Sequence, residues 1–254
     1  MGHSSTTPNK DLMTQAREAL AGRWGLFIFI YLIWFAIQGW TIFMPAEIFW
    51  DDLFLLVIVG PWALGLASVV LSTSRYQEAQ VSDAFSGFRD SRKFGVGLGA
   101  YLLMVLFIVL WALLLIIPGI IAALAYGMTF YILADDPSVG PRQAISRSKE
   151  LMRGNKWKYF CLSMRFAGWG ILLCGLPAFL VGFGLAYYTD LSDHMRGVAT
   201  GLAIWPGILF VGPYFCVSVA GFYDDLVNQE QEQEEEESES AAEEEEESEP
   251  AAEE

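Results

Sequence analysis

Residues 95–134 form forty consecutive positions without a charged side chain. A helix rises about 1.5 Å per residue, so one straight helix of this length would measure about 60 Å, twice the hydrocarbon core of a bilayer. The stretch therefore reads as two membrane spans, 95–117 and 119–134, joined by a tight turn at Pro118-Gly119. Four further apolar runs, 24–44, 53–72, 159–188 and 198–223, are each long enough to cross. A soluble fold would have to bury all six on every face, which a domain of this size cannot do. The expected fold is all-α: a polytopic membrane protein with six transmembrane helices in three hairpins and amphipathic interfacial helices between them.

The chain has 254 residues with 30 acids against 15 bases, a formal net charge of −15. That charge is not spread over the protein. Residues 230–254 hold 15 glutamates and no base, which leaves the rest of the chain balanced. Three regions follow: a disordered N-terminus at 1–10, a six-span membrane domain at 11–226, and a disordered polyglutamate tail at 227–254. The tail is low in complexity and unbroken in charge, so it cannot fold alone and is free to meet a basic protein partner. A neutral body excludes a nucleic-acid-binding face.

Orientation follows from the bases in the short connections. Lys10, Arg17 and Arg23 precede the first span. Arg75, Arg89, Arg92 and Lys93 lie between the second and third, and Arg142, Arg147, Lys149, Arg153, Lys156 and Lys158 between the fourth and fifth. Only Arg196 falls in a connection on the other side, which carries the acids Glu47, Asp51 and Asp52. Both termini are therefore expected in the cytoplasm, with no cleavable signal ahead of the first span.

The basic connections share a pattern. Leu12, Met13, Ala16, Ala19 and Leu20 line one face of a helix over 11–23. Val81, Ala84, Phe85 and Phe88 do so in the second connection, and Ala144, Ile145, Ser148, Leu151 and Met152 in the third. Each ends near a glycine, Gly22, Gly87 or Gly154, which suits a helix C-cap. Anionic lipid would draw such basic helices into the cytoplasmic interface, although ordinary basic loops would satisfy the same topology rule. The second span of each pair carries a proline: Pro61, Pro118 or Pro213. Three units of interfacial helix plus hairpin, all in one orientation, would explain both regularities.

Residues able to support chemistry are few. The histidines are His3 and His194, far apart in sequence, and Cys161, Cys174 and Cys216 fall inside spans without a paired motif. HExxH and GxSxG are both absent from the sequence. No metal site, no cofactor and no enzyme activity are expected. Gly95-Val96-Gly97-Leu98-Gly99 begins a span and reads as a close helix contact, not a phosphate cradle. Asp135 and Asp136 end the fourth span, either as ligands for Mg²⁺ or a headgroup, or as acids capping the next helix. Arg165 lies seven residues inside from Lys158; it either faces a functional partner or snorkels to the interface.

The block from Ile116-Ile117-Pro118-Gly119 through Ala134-Asp135-Asp136-Pro137, with Ala144-Ile145-Ser146-Arg147-Ser148-Lys149-Glu150-Leu151-Met152-Arg153-Gly154-Asn155-Lys156-Trp157-Lys158, resembles the bacterial integral-membrane family catalogued as domain of unknown function 975. The similarity runs from about Ala16 to Leu226, with Arg165 and the polyglutamate tail as departures from the pattern. The resemblance implies a multi-pass protein of the bacterial plasma membrane. It implies no activity. The expected role is to organise or sense the cytoplasmic lipid surface, with anionic lipid as partner. The alternative is a transporter or channel for small molecules or lipids, with the proline-bearing spans around a central path.

Overall fold

The computed structural model describes residues 5–43, 48–188 and 193–248. Glu47 and His3 lie outside these residues, as do the side chains of Asp51, Asp52 and His194. Every regular element among the described residues is helical. In chain order they are α1 (Asn9–Ala19), α2 (Trp24–Phe43), α3 (Ile48–Ser74), a 3₁₀ helix (Val81–Phe88), α4 (Ser91–Leu114), α5 (Ile116–Ala125) and α6 (Thr129–Asp135). There follow α7 (Pro141–Leu151), α8 (Lys156–Gly170), a π-helical turn (Ile171–Gly175), α9 (Leu176–Tyr188) and α10 (Asp193–Ser248).

Five segments are long and apolar enough to cross a bilayer: Leu53–Ser74, Ser91–Leu114, Ile116–Asp135, Lys156–Tyr187 and Met195–Ser240. A sixth candidate is the pair Asn9–Ala19 and Trp24–Gln38, bent by 91°. Outward-facing side chains are oily, with Leu113 84% and Ile116 75% exposed. Apolar surface this continuous fits a lipid surround and would be a liability in water.

The turn between α4 and α5 falls at Leu115, not at Pro118-Gly119. Leu115 is extended (φ −161°, ψ 144°), and α5 begins at Ile116. Pro118 then sits in the first turn of α5, where a missing N–H costs no helical hydrogen bond. Gly119 serves the fold-back instead: a Cβ there would lie 2.8 Å from the Cβ of Ala112. The expected fourth span is itself broken between α5 and α6. Ser148 of α7 heals the break, accepting from the Met128 N–H at 3.2 Å and donating to the Ala125 carbonyl at 2.8 Å.

The amphipathic segments exist, but their apolar faces rest on protein, where contact with lipid was expected. Leu12, Leu20, Ala144, Leu151 and Met152 are all buried. α1 packs on α10, the 3₁₀ helix on α3, and α7 on α6 and α4. Gly22 and Gly154 follow α1 and α7 with φ of +80° and +89°, the left-handed conformation a C-terminal glycine supplies. Gly87 has no such role. It is pressed against α3, where a Cβ would stand 2.0 Å from the Pro61 carbonyl oxygen, and Gly65 meets the Ala84 carbonyl oxygen in the same way at 1.9 Å. This flush contact selects the narrower 3₁₀ winding. Gly97 of the glycine-rich run approaches the Gly60-Pro61 backbone, as a close helix contact requires.

Residues 5–8 are pinned, with the Ser5 N–H donating to Asn155 Oδ1 at 2.8 Å and Thr7 Oγ1 to Asp225 Oδ1 at 2.6 Å. α10 continues as helix through Ser248. Nucleation is the costly step in helix formation, and here the span has already met it. Glu, Gln and Ala then propagate well.

Candidate functional site

α3 packs on both α6 and α10, and long side chains bridge α6 to α10. Tyr131 of α6 donates to the Cys216 carbonyl of α10 at 3.2 Å and stacks on Tyr223, ring centroids 5.9 Å apart. Below these aromatics the ends of α3 and α6 meet the middle of α10 in an ion node. Arg75 follows α3, Asp135 closes α6, and Asp224 lies on α10. Arg75 Nη1 and Nη2 bond both oxygens of Asp135 at 2.5 and 3.1 Å, and its Nε reaches Asp224 Oδ1 at 2.9 Å. Tyr223 donates to Asp135 at 3.1 Å and Ser74 to Asp224 at 2.9 Å. The hydrogen bonds that Arg75 donates to Asp135 raise its guanidinium pKa further, outweighing what partial burial takes away.

Local chain geometry aims Arg75. Its own N–H still bonds the Leu71 carbonyl at 3.0 Å, so it continues α3. The next residue, Tyr76, takes φ +56°, and Gln77 N–H returns to the Ser72 carbonyl at 2.8 Å. This is the six-to-one closure of a left-handed helix end, with a tyrosine where glycine is usual. Arg23 secures it, donating to the Gln77 carbonyl at 2.6 Å and the Tyr76 carbonyl at 3.3 Å. A second node lies alongside, where Lys158 approaches Asp225 at 3.9 Å and bonds the Ser5 carbonyl at 3.0 Å.

These positions alter several sequence-based assignments. Asp135 and Asp136 do not cap α7, whose N-cap is Gly140 without a side-chain bond. Asp135 answers Arg75, so the cation in that place is the protein's own. Asp136 accepts from the Ser138 N–H and hydroxyl at 2.9 and 2.6 Å, which shapes the turn and holds its carboxyl below the ordinary pKa. Among the described residues no group of three or more His, Cys, Asp or Glu could hold a metal ion. Pro61 and Pro213 lie within α3 and α10, and Pro61 serves as the floor on which Gly87 sits. Cys161 is exposed, while Cys174 and Cys216 are partly covered.

The basic residues divide. Arg23, Arg147 and Lys158 are engaged within the protein, Arg147 through Glu230 at 3.5 Å. Arg17, Arg89, Arg92, Lys93, Lys149, Arg153 and Lys156 form no ion pair among the described residues. Arg165 is exposed on α8, its Nη1 donating to Met13 Sδ at 3.7 Å. Sequence reasoning missed Arg75, Asp224 and Asp225 as a group. The signal was there: Arg75, Asp135 and Asp224 each stand just past an apolar run whose proline lies near its middle or start.

No curated protein and no solved structure matches the chain. One family model does, over residues 113–230, a little under half of the chain. That segment includes α5 to α9, Asp135, Arg165, Asp224, Asp225 and Glu230, and leaves out α1 to α3 and most of the acidic stretch. Residues 113–230 match the family described as "Protein of unknown function (DUF975)", the family that the central block of the sequence resembles.

Proposed function

We propose that the chain is a six-span protein of a bacterial plasma membrane, built as three hairpins around a common axis, which engages the anionic cytoplasmic lipid surface through a basic rim. Both termini lie on that cytoplasmic side. The ring of contacts supports the three-unit arrangement: each amphipathic element packs on the hairpin before it, and α1 closes the circle on α10. The 91° bend from α1 into α2 supports an in-plane setting for α1 when α2 crosses the bilayer.

One observation carries the lipid reading. At this end of the bundle Arg17, Lys149, Arg89 and Arg92 are exposed and form no ion pair among the described residues, while Asp135, Asp224 and Asp225 turn inward onto Arg75 and Lys158. The rim thus offers positive charge to a surface that carries negative charge, worth about 1 kcal/mol per base close to the lipid. Because the apolar faces are packed on protein, this contact works by charge at the rim and not by insertion of the amphipathic helices. The α10 extension stands away from the rim beyond Glu230 and remains available to a basic protein partner.

In nanodiscs at low ionic strength, the unfolding midpoint should rise as phosphatidylglycerol replaces phosphatidylcholine of the same chains. Molar salt should abolish the rise, since screening falls to about 3 Å there. Equal midpoints in the two lipids at low salt would contradict the reading.

A further inference from the structure

α1 and α7 are counterparts, both eleven residues long and each followed at the same distance by a glycine of positive φ. Arg17, Ala21 and Trp24 therefore correspond to Lys149, Arg153 and Lys156. These residues line two clefts. One, of about 710 Å³, is lined by Arg17, Ala21 and Trp24 together with Phe166, Trp169, Phe210 and Tyr214, with Trp24 stacked on Phe210. The other, of about 340 Å³, has Lys149, Arg153 and Lys156 facing Trp111, Ile121 and Ala125.

The inner walls correspond as well. With Asp135 set on Asp224, Ile121, Ala122 and Ala125 fall on Phe210, Val211 and Tyr214, and all six line their clefts. The two clefts are thus the same place in two units of the repeat. Continuing the correspondence to Arg75 gives Pro61, Trp62 and Gly65 in the first unit. There the 3₁₀ helix lies flush on α3, with Trp62 buried against Phe85, ring centroids 5.6 Å apart. Two positions are open and the third is filled by the protein itself.

Each open cleft joins an oily wall to unpaired positive charge at one end. No carboxylate lines either one. Beside the larger cleft, Arg165 stands one helical turn from the lining residue Trp169 on the same face of α8, and its Nη1 donates to the weakly accepting thioether of Met13, which also lines the cleft. In the smaller, Lys149 lies over the Phe107 and Tyr126 rings at 5.9 and 5.4 Å. We infer that both clefts are binding sites for an anionic phospholipid. Its acyl chain lies along the aromatic and aliphatic wall. Its phosphate headgroup is held by Arg17 with Arg165 in one site, and by Lys149 with Arg153 and Lys156 in the other. This assignment rests on the proposed placing of α1 and α7 at the cytoplasmic face, and adds two defined sites to a diffuse attraction.

Native mass spectrometry of the full chain, released from nanodiscs containing equal phosphatidylglycerol and phosphatidylcholine, tests the assignment. The wild type should retain two phosphatidylglycerol molecules. Arg17→Gln with Arg165→Gln should lose one, Lys149→Gln with Arg153→Gln the other, and Arg89→Gln with Arg92→Gln, exposed bases that do not line either cleft, neither. Glycerol phosphate without chains should not be retained. All six of these bases are exposed, and unchanged unfolding midpoints in neutral lipid will verify that each variant folds. Equal losses from all three pairs would overturn the two sites while leaving the rim's general attraction intact. Retention unaffected by either cleft pair, or glycerol phosphate held as well as lipid, would also overturn them. No preference for the anionic lipid in the wild type would overturn both the sites and the broader reading.

Discussion

Gly65→Ala is expected to lower the stability of the bundle by about 3 kcal/mol or more, at the upper end of what overpacking costs. The added Cβ would fall 1.9 Å from the Ala84 carbonyl oxygen and 2.6 Å from its carbonyl carbon. Those are backbone atoms, with no side chain able to swing aside. Relief requires the 3₁₀ helix to lift off α3, which uncovers Ala84, now fully buried, and parts Trp62 from Phe85. Gly87→Ala should do comparable damage from the other partner, since its Cβ would meet the Pro61 carbonyl oxygen at 2.0 Å. Gly168→Ala is the control: a Cβ there has nothing within 4 Å, and alanine in a helix interior gains roughly 0.5–1 kcal/mol over glycine. Unfolding midpoints in a mild detergent, compared across the three variants, decide the matter. If Gly65→Ala and Gly168→Ala gave the same midpoint, the flush contact between the 3₁₀ helix and α3 would be wrong.

Arg75→Ala should be the most damaging change of a charged residue, at about 2–3 kcal/mol. Removing one partner of a buried ion pair costs about 3–5 kcal/mol because the remaining charge is stranded. Here the side chains are 34%, 28% and 21% exposed for Arg75, Asp135 and Asp224, so solvent offsets part of that cost. Arg75→Lys should recover only part, since an ammonium cannot span both oxygens of Asp135 and reach Asp224 as the guanidinium fork does. Adding Asp135→Asn and Asp224→Asn to Arg75→Ala should restore much of the loss by removing the stranded charges. That recovery separates electrostatics from lost packing. A triple variant no more stable than Arg75→Ala would assign the effect to the packing of the arginine stem.

The apolar helices were legible because a bilayer reduces the question to length and hydropathy. The turn at Leu115 was not, because Pro118 reads as a breaker even when it sits in a first helical turn, where it is well tolerated. The 3₁₀ form of Val81–Phe88 depends on two glycines meeting two carbonyls across a helix pair, a tertiary contact that no local pattern carries. Arg75 was overlooked for a different reason. A base beside a span is what the topology rule already demands, so that rule absorbed the residue that ties three helices together. Asp135 was noticed but given the wrong partner, since the nearest helix in sequence is α7 and the nearest cation in space is on α3.

The central claim is the arrangement of hairpins with the basic rim and both termini on one side. Single-cysteine labelling in intact cells tests it most directly, starting from a variant with Cys161, Cys174 and Cys216 replaced by serine or alanine. Glu47→Cys and Ser192→Cys should react with a membrane-impermeant maleimide from outside. Ala79→Cys, Ser138→Cys and Ser240→Cys should react only after the membrane is opened. Labelling of position 79, 138 or 240 in intact cells, or protection of 47 and 192 there, would contradict the arrangement.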